Sequence, residues 1–143
     1  MITNRKASFE YHFLQTFTAG MVLTGTEVKS LREGKGNLAD AYCVFENGEC
    51  WMRNMHISEY SQGSYNNHEP KRLRKLLLKK TELRKILSKL REKGIAMIPV
   101  KVYFNDRGFA KVDIALARGK KQYDKREDLK LKEAKRDMQR AMK

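Results

Sequence analysis

The residues best equipped for chemistry are three histidines and two cysteines, and their spacing limits what they could do. His12, His56 and His68 are not spaced as metal ligands. Cys43 and Cys50 do not complete a zinc-binding set. His56 and His68 could act as the acid and base of a small ribonuclease, but no glycine-rich phosphate-binding motif accompanies them. We therefore predict no catalytic residue, no metal site and no cofactor.

The two cysteines flank Asn47-Gly48, a strong signal for a two-residue β-hairpin turn. That turn sets Cys43 opposite Met52 and Phe45 opposite Cys50. The cysteines then lie diagonally on one face, roughly 7–8 Å apart. A disulfide needs Cα atoms about 4.4–6.8 Å apart. We predict two reduced thiols in the core.

The strongest feature of the composition is its positive charge. Lysine and arginine number 31 against 17 acidic residues, which gives a net charge of +14. Solubility does not require so much charge, and a field of this sign suits polyanions such as DNA, RNA or an anionic membrane surface. The basic residues cluster at Arg5-Lys6, 29–35, 71–80, Arg84-Lys85 and 120–126.

A membrane partner is the easiest of these to exclude. No apolar stretch approaches the ~20 residues that span a bilayer. The start of the chain has no hydrophobic run behind its Arg5-Lys6 pair, so it is not a secretory signal. We expect a cytoplasmic protein that binds no membrane.

The elements predicted for the body are mostly strands. Residues 9–23 read as two short strands with a bend or bulge at Ala19-Gly20, and residues 97–117 read as a second hairpin with its turn at 105–108. Thr24 and Glu27 fit a capping box that opens a helix ended by Gly34.

Two further helices are predicted from leucine stripes. Leu73, Leu76 and Leu77 form the first stripe, after Pro70. The second runs from Leu83 to Leu90, with Thr81 as its N-cap and Gly94 as its end.

These elements predict a mainly β fold with helices (α+β), formed as a closed barrel of the oligonucleotide-binding (OB) type. A sandwich or a split β-α-β sheet stays open. The body is assigned to residues 1–117. Residues 118–143 form a basic tail that lacks Val, Ile, Phe and Trp. We predict that this tail is disordered alone and helical when bound.

The sequence gives weaker evidence on whether the nucleic acid is DNA or RNA. No zinc finger, basic leucine zipper or clear helix-turn-helix is present. Loop-borne basic patches on a barrel suit folded RNA read by its shape, and Tyr65 and Tyr123 could stack on unpaired bases. A structural ribosomal protein and an architectural DNA-binding protein remain alternatives.

Several ordered blocks of residues match a known family. These blocks are Asn4-Arg5-Lys6-Ala7, 23–32, 34–38, 54–57, 74–78 and 119–126. On them the chain resembles the small protein B (SsrA-binding protein) family, and the resemblance runs from about Asn4 to the end.

The resemblance implies an OB-type barrel with about three flanking helices and binding to transfer-messenger RNA in trans-translation, the rescue of stalled ribosomes. The body would bind the transfer-RNA-like domain, as one protein per RNA. The tail would contact 16S rRNA at the decoding centre and enter the messenger channel of the small subunit.

The resemblance also implies site residues. In the body, those facing RNA would be Asn4, Arg5, Lys6, Thr18, Glu27, Lys29, Leu77 and Lys111. In the tail, those engaging the ribosome would be Gly119, Lys120, Lys121, Tyr123, Asp124, Lys125 and Arg126. Glu27 is equally well explained as a capping residue and Leu77 as a core residue. Thr18 departs from the family pattern, because many relatives have Glu at that position.

Overall fold

The computed structural model describes residues 1–63 and 67–120 of the chain. Its three helices are α1 (Arg5–Glu10), α2 (Gly25–Arg32) and α3 (Lys80–Leu90). Its strands are β1 (Ile2–Thr3), β2 (Tyr11–Met21), β3 (Gly36–Asn37), β4 (Tyr42–Glu46), β5 (Glu49–Arg53), β6 (His56–Ile57), β7 (Arg74–Leu77), β8 (Ile95–Phe104) and β9 (Ala110–Gly119).

The strands form one seven-stranded sheet and a small pair. The order in the large sheet is β1-β8-β4-β5-β7-β2-β9, and β8 also pairs with β9. β3 pairs with β6. Every pairing is antiparallel. The predicted α+β class, mainly β with about three helices, is confirmed.

Both predicted hairpins are confirmed. β4 and β5 pair with Cys43 opposite Met52 and Phe45 opposite Cys50. Gly48 has the positive φ of 76° that this turn requires. Cys43 and Cys50 are free and buried, as predicted. In the second hairpin, Gly108 takes a φ of 81° between β8 and β9.

The prediction for residues 9–23 was wrong in two respects. The segment is one long strand, β2, with no break at Ala19-Gly20; its irregular register lies between Phe13 and Gln15. A helix, α1, precedes it. Asn4 caps that helix, because its side chain accepts a hydrogen bond from the Ala7 amide.

The prediction of a helix from the stripe of Leu73, Leu76 and Leu77 was also wrong, because residues 74–77 form β7. Arg74 and Leu76 are buried while Leu77 is exposed, which is the period of two of a strand. The second predicted helix is confirmed as α3. It begins after Lys79 rather than Thr81, with the Lys79 amide donating to Glu82 at 3.1 Å, and Gly94 follows it at a φ of 85°.

The core lies inside the large sheet and is covered by helices. Ile86 of α3 is fully buried, and Leu31 of α2 is 5 % exposed. The capping box of α2 is confirmed: Thr24 Oγ1 accepts from the Glu27 amide, and the Glu27 side chain accepts from the Thr24 amide. Such a cap contributes about 1 kcal/mol to helix stability.

Candidate nucleic-acid interface

Strand register brings three of the predicted RNA-facing residues onto one outer surface. Gly20 of β2 lies opposite Leu77 of β7 on one side and opposite Lys111 of β9 on the other. Lys111 in turn lies opposite Tyr103 of β8. Thr18 is two residues before Gly20 and shares its face. We call this face the strand surface; its members are Thr18, Gly20, Leu77, Lys101, Tyr103, Lys111 and Asp113.

Asp113 organises the polar part of the strand surface. Its Oδ1 accepts hydrogen bonds from Thr18 Oγ1 at 2.9 Å and from Tyr103 Oη at 3.2 Å. Its Oδ2 lies 3.5 Å from Lys101 Nζ. One carboxylate on β9 therefore fixes three side chains from its two neighbouring strands, β2 and β8. In the described part of the chain, Lys111 has no acidic partner, so its charge is available to a phosphate.

Leu77 is an exposed residue of this surface and not a core residue. Its exposed fraction is 53 %. It packs beside Gly20, where an added Cβ would lie 3.4 Å from Leu77 Cβ. The apolar side chain therefore stands next to a stretch of bare backbone, which favours close approach by a flat or rigid partner.

Glu27 is fully buried, so its side chain is not part of any exposed RNA-binding surface. Its Oε1 accepts from Arg72 Nη2 at 2.6 Å and from the Thr24 amide at 2.8 Å, and its Oε2 accepts from Arg74 Nε. Burial alone would raise the pKa of Glu27, but the hydrogen bonds from Arg72, Thr24 and Arg74 outweigh burial and lower it.

The buried Arg74 completes this network. It donates to the carbonyls of Met55 at 2.6 Å and Pro70 at 3.0 Å. Because Arg74 begins β7 and Glu27 lies in α2, the pair fixes the helix that carries Lys29 against the strand that carries Leu77. The network therefore positions two candidate RNA contacts at once.

The basic side chains of α2 lie against aromatic rings. Lys29 Nζ is 5.5 Å from the centre of the Tyr60 ring, and Arg32 Cζ is 4.6 Å from that of Phe104. Such contacts hold a cation in place while leaving its outer side free for an anion.

The remaining predicted residues of the body lie at the other end of β2. Asn4 is 7 % exposed and donates to the Pro99 carbonyl at 2.9 Å, so its side chain is committed to the fold. Arg5 and Lys6 are exposed on α1. Along β2, this end lies roughly 30 Å from Gly20.

The tail leaves the body beside α1. Gly119 pairs with Tyr11, and Lys120 Nζ donates to the Ser8 carbonyl at 3.2 Å. β9 therefore continues past the predicted boundary at residue 117. The other predicted tail residues, Lys121, Tyr123, Asp124, Lys125 and Arg126, lie outside the described residues, as does Tyr65.

The ribonuclease alternative, which needs His56 and His68 to act together, is not supported by the surroundings of His68. His68 is 6 % exposed. Its Nε2 lies 2.8 Å from the Ile57 carbonyl and therefore donates, while its Nδ1 lies 2.9 Å from Thr26 Oγ1 and accepts. Both ring nitrogens are occupied, so His68 is a structural residue.

The described ranges contain neither a cluster of metal-binding side chains nor a membrane-spanning helix. Over residues 1–63 and 67–120, no three His, Cys, Asp or Glu side chains come together as a metal site would require. Each helix in the same ranges is too short or too polar to cross a bilayer.

Sequence reasoning missed Arg72, Arg74, Tyr60 and Asp113. Arg74 had no local signal, because residues 74–77 read basic, basic, apolar, apolar, and its burial depends on the distant Glu27. Asp113 had no signal of its own, because its role depends on lying opposite Thr18. Tyr60 depends likewise on its contact with Lys29.

Comparison with known proteins gives one consistent result. The family model described as "SmpB protein" matches residues 1–143. The SsrA-binding protein of Desulforamulus reducens is 59 % identical over 97 % of this chain and 86 % of its own. That of Phocaeicola vulgatus is 56 % identical over 99 % and 95 %. A solved structure described as "tmRNA-SmpB: a journey to the center of the bacterial ribosome" superposes with a TM-score of 0.70, at 51 % identity over 82 % of each chain.

Proposed function

The chain belongs to the SmpB protein family, and from this premise we propose that it binds transfer-messenger RNA and acts with it on stalled ribosomes in trans-translation. The observation that carries this function is the family match over all 143 residues, tail included. The members of this family are RNA-binding proteins and not enzymes. Work on the bacterial ribosome would take place in the cytoplasm.

The finer fold assignment is an OB-type barrel. The strand pairings support it, because β8, β4, β5, β7, β2 and β9 each have two neighbours once β8 pairs with β9. Full closure leaves no unpaired edge among these strands. A closed, stiff body suits the reading of a folded RNA by its shape.

The body binds the transfer-RNA-like domain, as one protein per RNA. Thr18, Leu77 and Lys111 on the strand surface contact the RNA directly, together with Lys29 on α2. Arg5 and Lys6 on α1 add phosphate contacts. Asn4 and Glu27 act indirectly: Asn4 holds α1 in place, and Glu27 holds α2 against β7.

The tail engages 16S rRNA at the decoding centre and enters the messenger channel. Gly119 and Lys120 set the direction in which it leaves the body. The side chains that then engage the ribosome are Lys121, Tyr123, Asp124, Lys125 and Arg126. Because the tail has few apolar residues of its own, it folds only when it binds this partner.

A truncation after Lys120 tests the division between body and tail. It preserves β9, whereas a truncation at Ala117 would remove the strand residues opposite Tyr11 and His12. The truncated chain should bind a transfer-RNA-like fragment with nearly unchanged affinity and fail to support peptide tagging on stalled ribosomes. Loss of fragment binding would overturn the division.

A charge variant tests the tail without shortening it. Replacing Lys120, Lys121, Lys125 and Arg126 with Ala should weaken ribosome binding, and the loss should be largest at low salt and shrink as salt screens these charges. A tagging rate equal to that of the unmodified chain would rule out an electrostatic role for these four side chains.

A further inference from the structure

A groove between α3 and β4 is not used by the function proposed above. Its main cavity has a volume of about 470 Å³ and an apolar lining that includes Val44, Phe45, Leu87, Leu90 and Met97. A smaller cavity of about 200 Å³ extends it along α3 and shares Phe45 and Leu87. Together they run the length of the helix.

The helical wall of this groove is basic. Lys80 and Arg84 line the smaller cavity, and Arg91 lines the larger one. Lys80 and Arg84 lie in α3, and Arg91 is its C-cap residue with helical backbone angles. At 100° per residue, these three positions fall within about 40° of one another and are spread over about 16 Å. The spacing makes a stripe of positive charge beside an apolar floor.

No acidic side chain in the described ranges is paired with Lys80, Arg84 or Arg91. The two carboxylates that flank the turn between β4 and β5 already have basic partners, since Glu46 pairs with Arg53 at 2.6 Å and Glu49 with Lys75 at 3.0 Å. The stripe therefore keeps its full charge toward an incoming anion.

The opposite wall offers aromatic rings. Tyr42 is 40 % exposed and lines the larger cavity together with Tyr11. Beyond these rings, Glu10 and Asp40 line an adjoining cavity. The groove thus runs from a positive end at Lys80 to the rings of Tyr42 and Tyr11, and the cavity beyond them is lined by Lys6 as well as by Glu10 and Asp40.

We infer that this groove binds a short unpaired RNA segment, with its phosphates along α3 and a base stacked on Tyr42. A basic groove with aromatic platforms is how proteins hold single strands without reading their sequence. Its length suits about four nucleotides, at the lower end of what such folds accommodate. This goes beyond the proposed function, because the partner is unpaired and the groove shares no residue with the strand surface.

The test measures binding of a fluorescein-labelled oligouridylate of about eight nucleotides to the full chain across a salt series. The double variant Arg84→Ala with Arg91→Ala should lower the slope of log affinity against log salt by about 1.4, since each single-strand phosphate contact contributes about 0.7. The matched control is Lys85→Ala with Lys93→Ala. It removes the same charge from two exposed residues outside the groove and should leave that slope unchanged.

Stacking is tested separately. Tyr42→Ala should lower the affinity for the oligouridylate by about fivefold or more, whereas Tyr42→Phe should leave that affinity unchanged. Circular dichroism and thermal unfolding of each variant establish that the fold is retained. The inference would be overturned if both double variants lowered the salt slope equally, since the RNA would then be attracted only by the overall charge. It would also be overturned if Tyr42→Ala bound the oligouridylate as tightly as the unmodified chain.

Binding of the transfer-RNA-like fragment by the same variants keeps this result separate from the proposed function. The groove variants should bind the fragment normally, and excess fragment should not displace the oligouridylate. If the unmodified chain bound the oligouridylate but not the transfer-RNA-like fragment, the proposed function would be contradicted, whereas the inferred single-strand site would still be supported.

Discussion

Thr18 and Asp113 lie directly opposite each other on β2 and β9, and the Thr18 hydroxyl donates a 2.9 Å hydrogen bond to the Asp113 carboxylate. The resemblance implied a Glu at this position, where this chain has Thr18. Here the carboxylate on the strand surface comes from the neighbouring strand, and the hydroxyl fixes its orientation. The surface therefore has a negative group beside Lys111 without a glutamate at position 18.

Replacing Thr18 with Val should weaken binding of the transfer-RNA-like fragment by about fivefold, because one hydrogen bond contributes about 1 kcal/mol. Thr18→Ser keeps the hydroxyl and should bind like the unmodified chain. Thermal unfolding should change little, because Val is favourable in strands. Affinity measured by filter binding distinguishes the two variants, and equal affinities would remove Thr18 from the interface.

Replacing Thr18 with Glu should destabilise the fold by up to about 1 kcal/mol, because two like charges would lie directly opposite across the strands. Adding Asp113→Asn should recover that loss. Denaturant unfolding of the two single variants and the double variant measures the coupling. A double variant as unstable as the sum of the singles would show that the two positions do not interact.

Glu27→Gln should destabilise the chain by about 3–5 kcal/mol at neutral pH, because the charge of Arg74 would remain buried without its partner. The folded pKa of Glu27 is lowered, so its contribution is present above the ordinary pKa of 4.5 and is lost as pH falls through the folded pKa. The difference in stability between variant and unmodified chain should therefore shrink below about pH 4.5.

The exposed pair of Glu46 and Arg53 provides a control for the same measurement, since its Glu is nearly half exposed. Glu46→Gln should cost at most about 1 kcal/mol. Similar losses for Glu46→Gln and Glu27→Gln in denaturant unfolding at pH 7 would contradict a special role for the buried pair.

The two thiols should be inert in the folded protein. Burial raises the pKa of the Cys43 thiol, with a further contribution from Cys50, and burial raises the pKa of Cys50 to about 11. Little thiolate is then present at pH 8, and only the thiolate reacts. Ellman's reagent should react with both thiols only after denaturant is added, whereas a cysteine introduced by Ser88→Cys on the exposed side of α3 should react at once.

The local turns and caps could be predicted because neighbouring residues determine them. Asn47-Gly48 specifies its hairpin by backbone conformation alone, and Thr24 with Glu27 specifies the start of α2. The segment around Arg74 could not be predicted in this way. Its leucines have helical spacing, and only the distant Glu27 accounts for burying an arginine in a strand.

In the candidate site, too, some features could be predicted from the sequence and others depend on contacts between distant residues. A resemblance could name Leu77 and Lys111, but their meeting on either side of Gly20 depends on the register of β7, β2 and β9. The indirect role of Glu27 likewise needed its burial and its partners to be known.

Lys111→Ala should weaken binding of the transfer-RNA-like fragment and flatten its salt dependence, because one phosphate contact would be lost. The slope of log affinity against log salt should fall by about 0.7–0.9. The matched control is Lys75→Ala on β7, whose charge is already balanced by Glu49 at 3.0 Å. If Lys111 contacts a phosphate, only its variant changes the slope. Equal changes in both variants would mean that the fragment senses the overall charge of the body and that the strand surface does not direct binding.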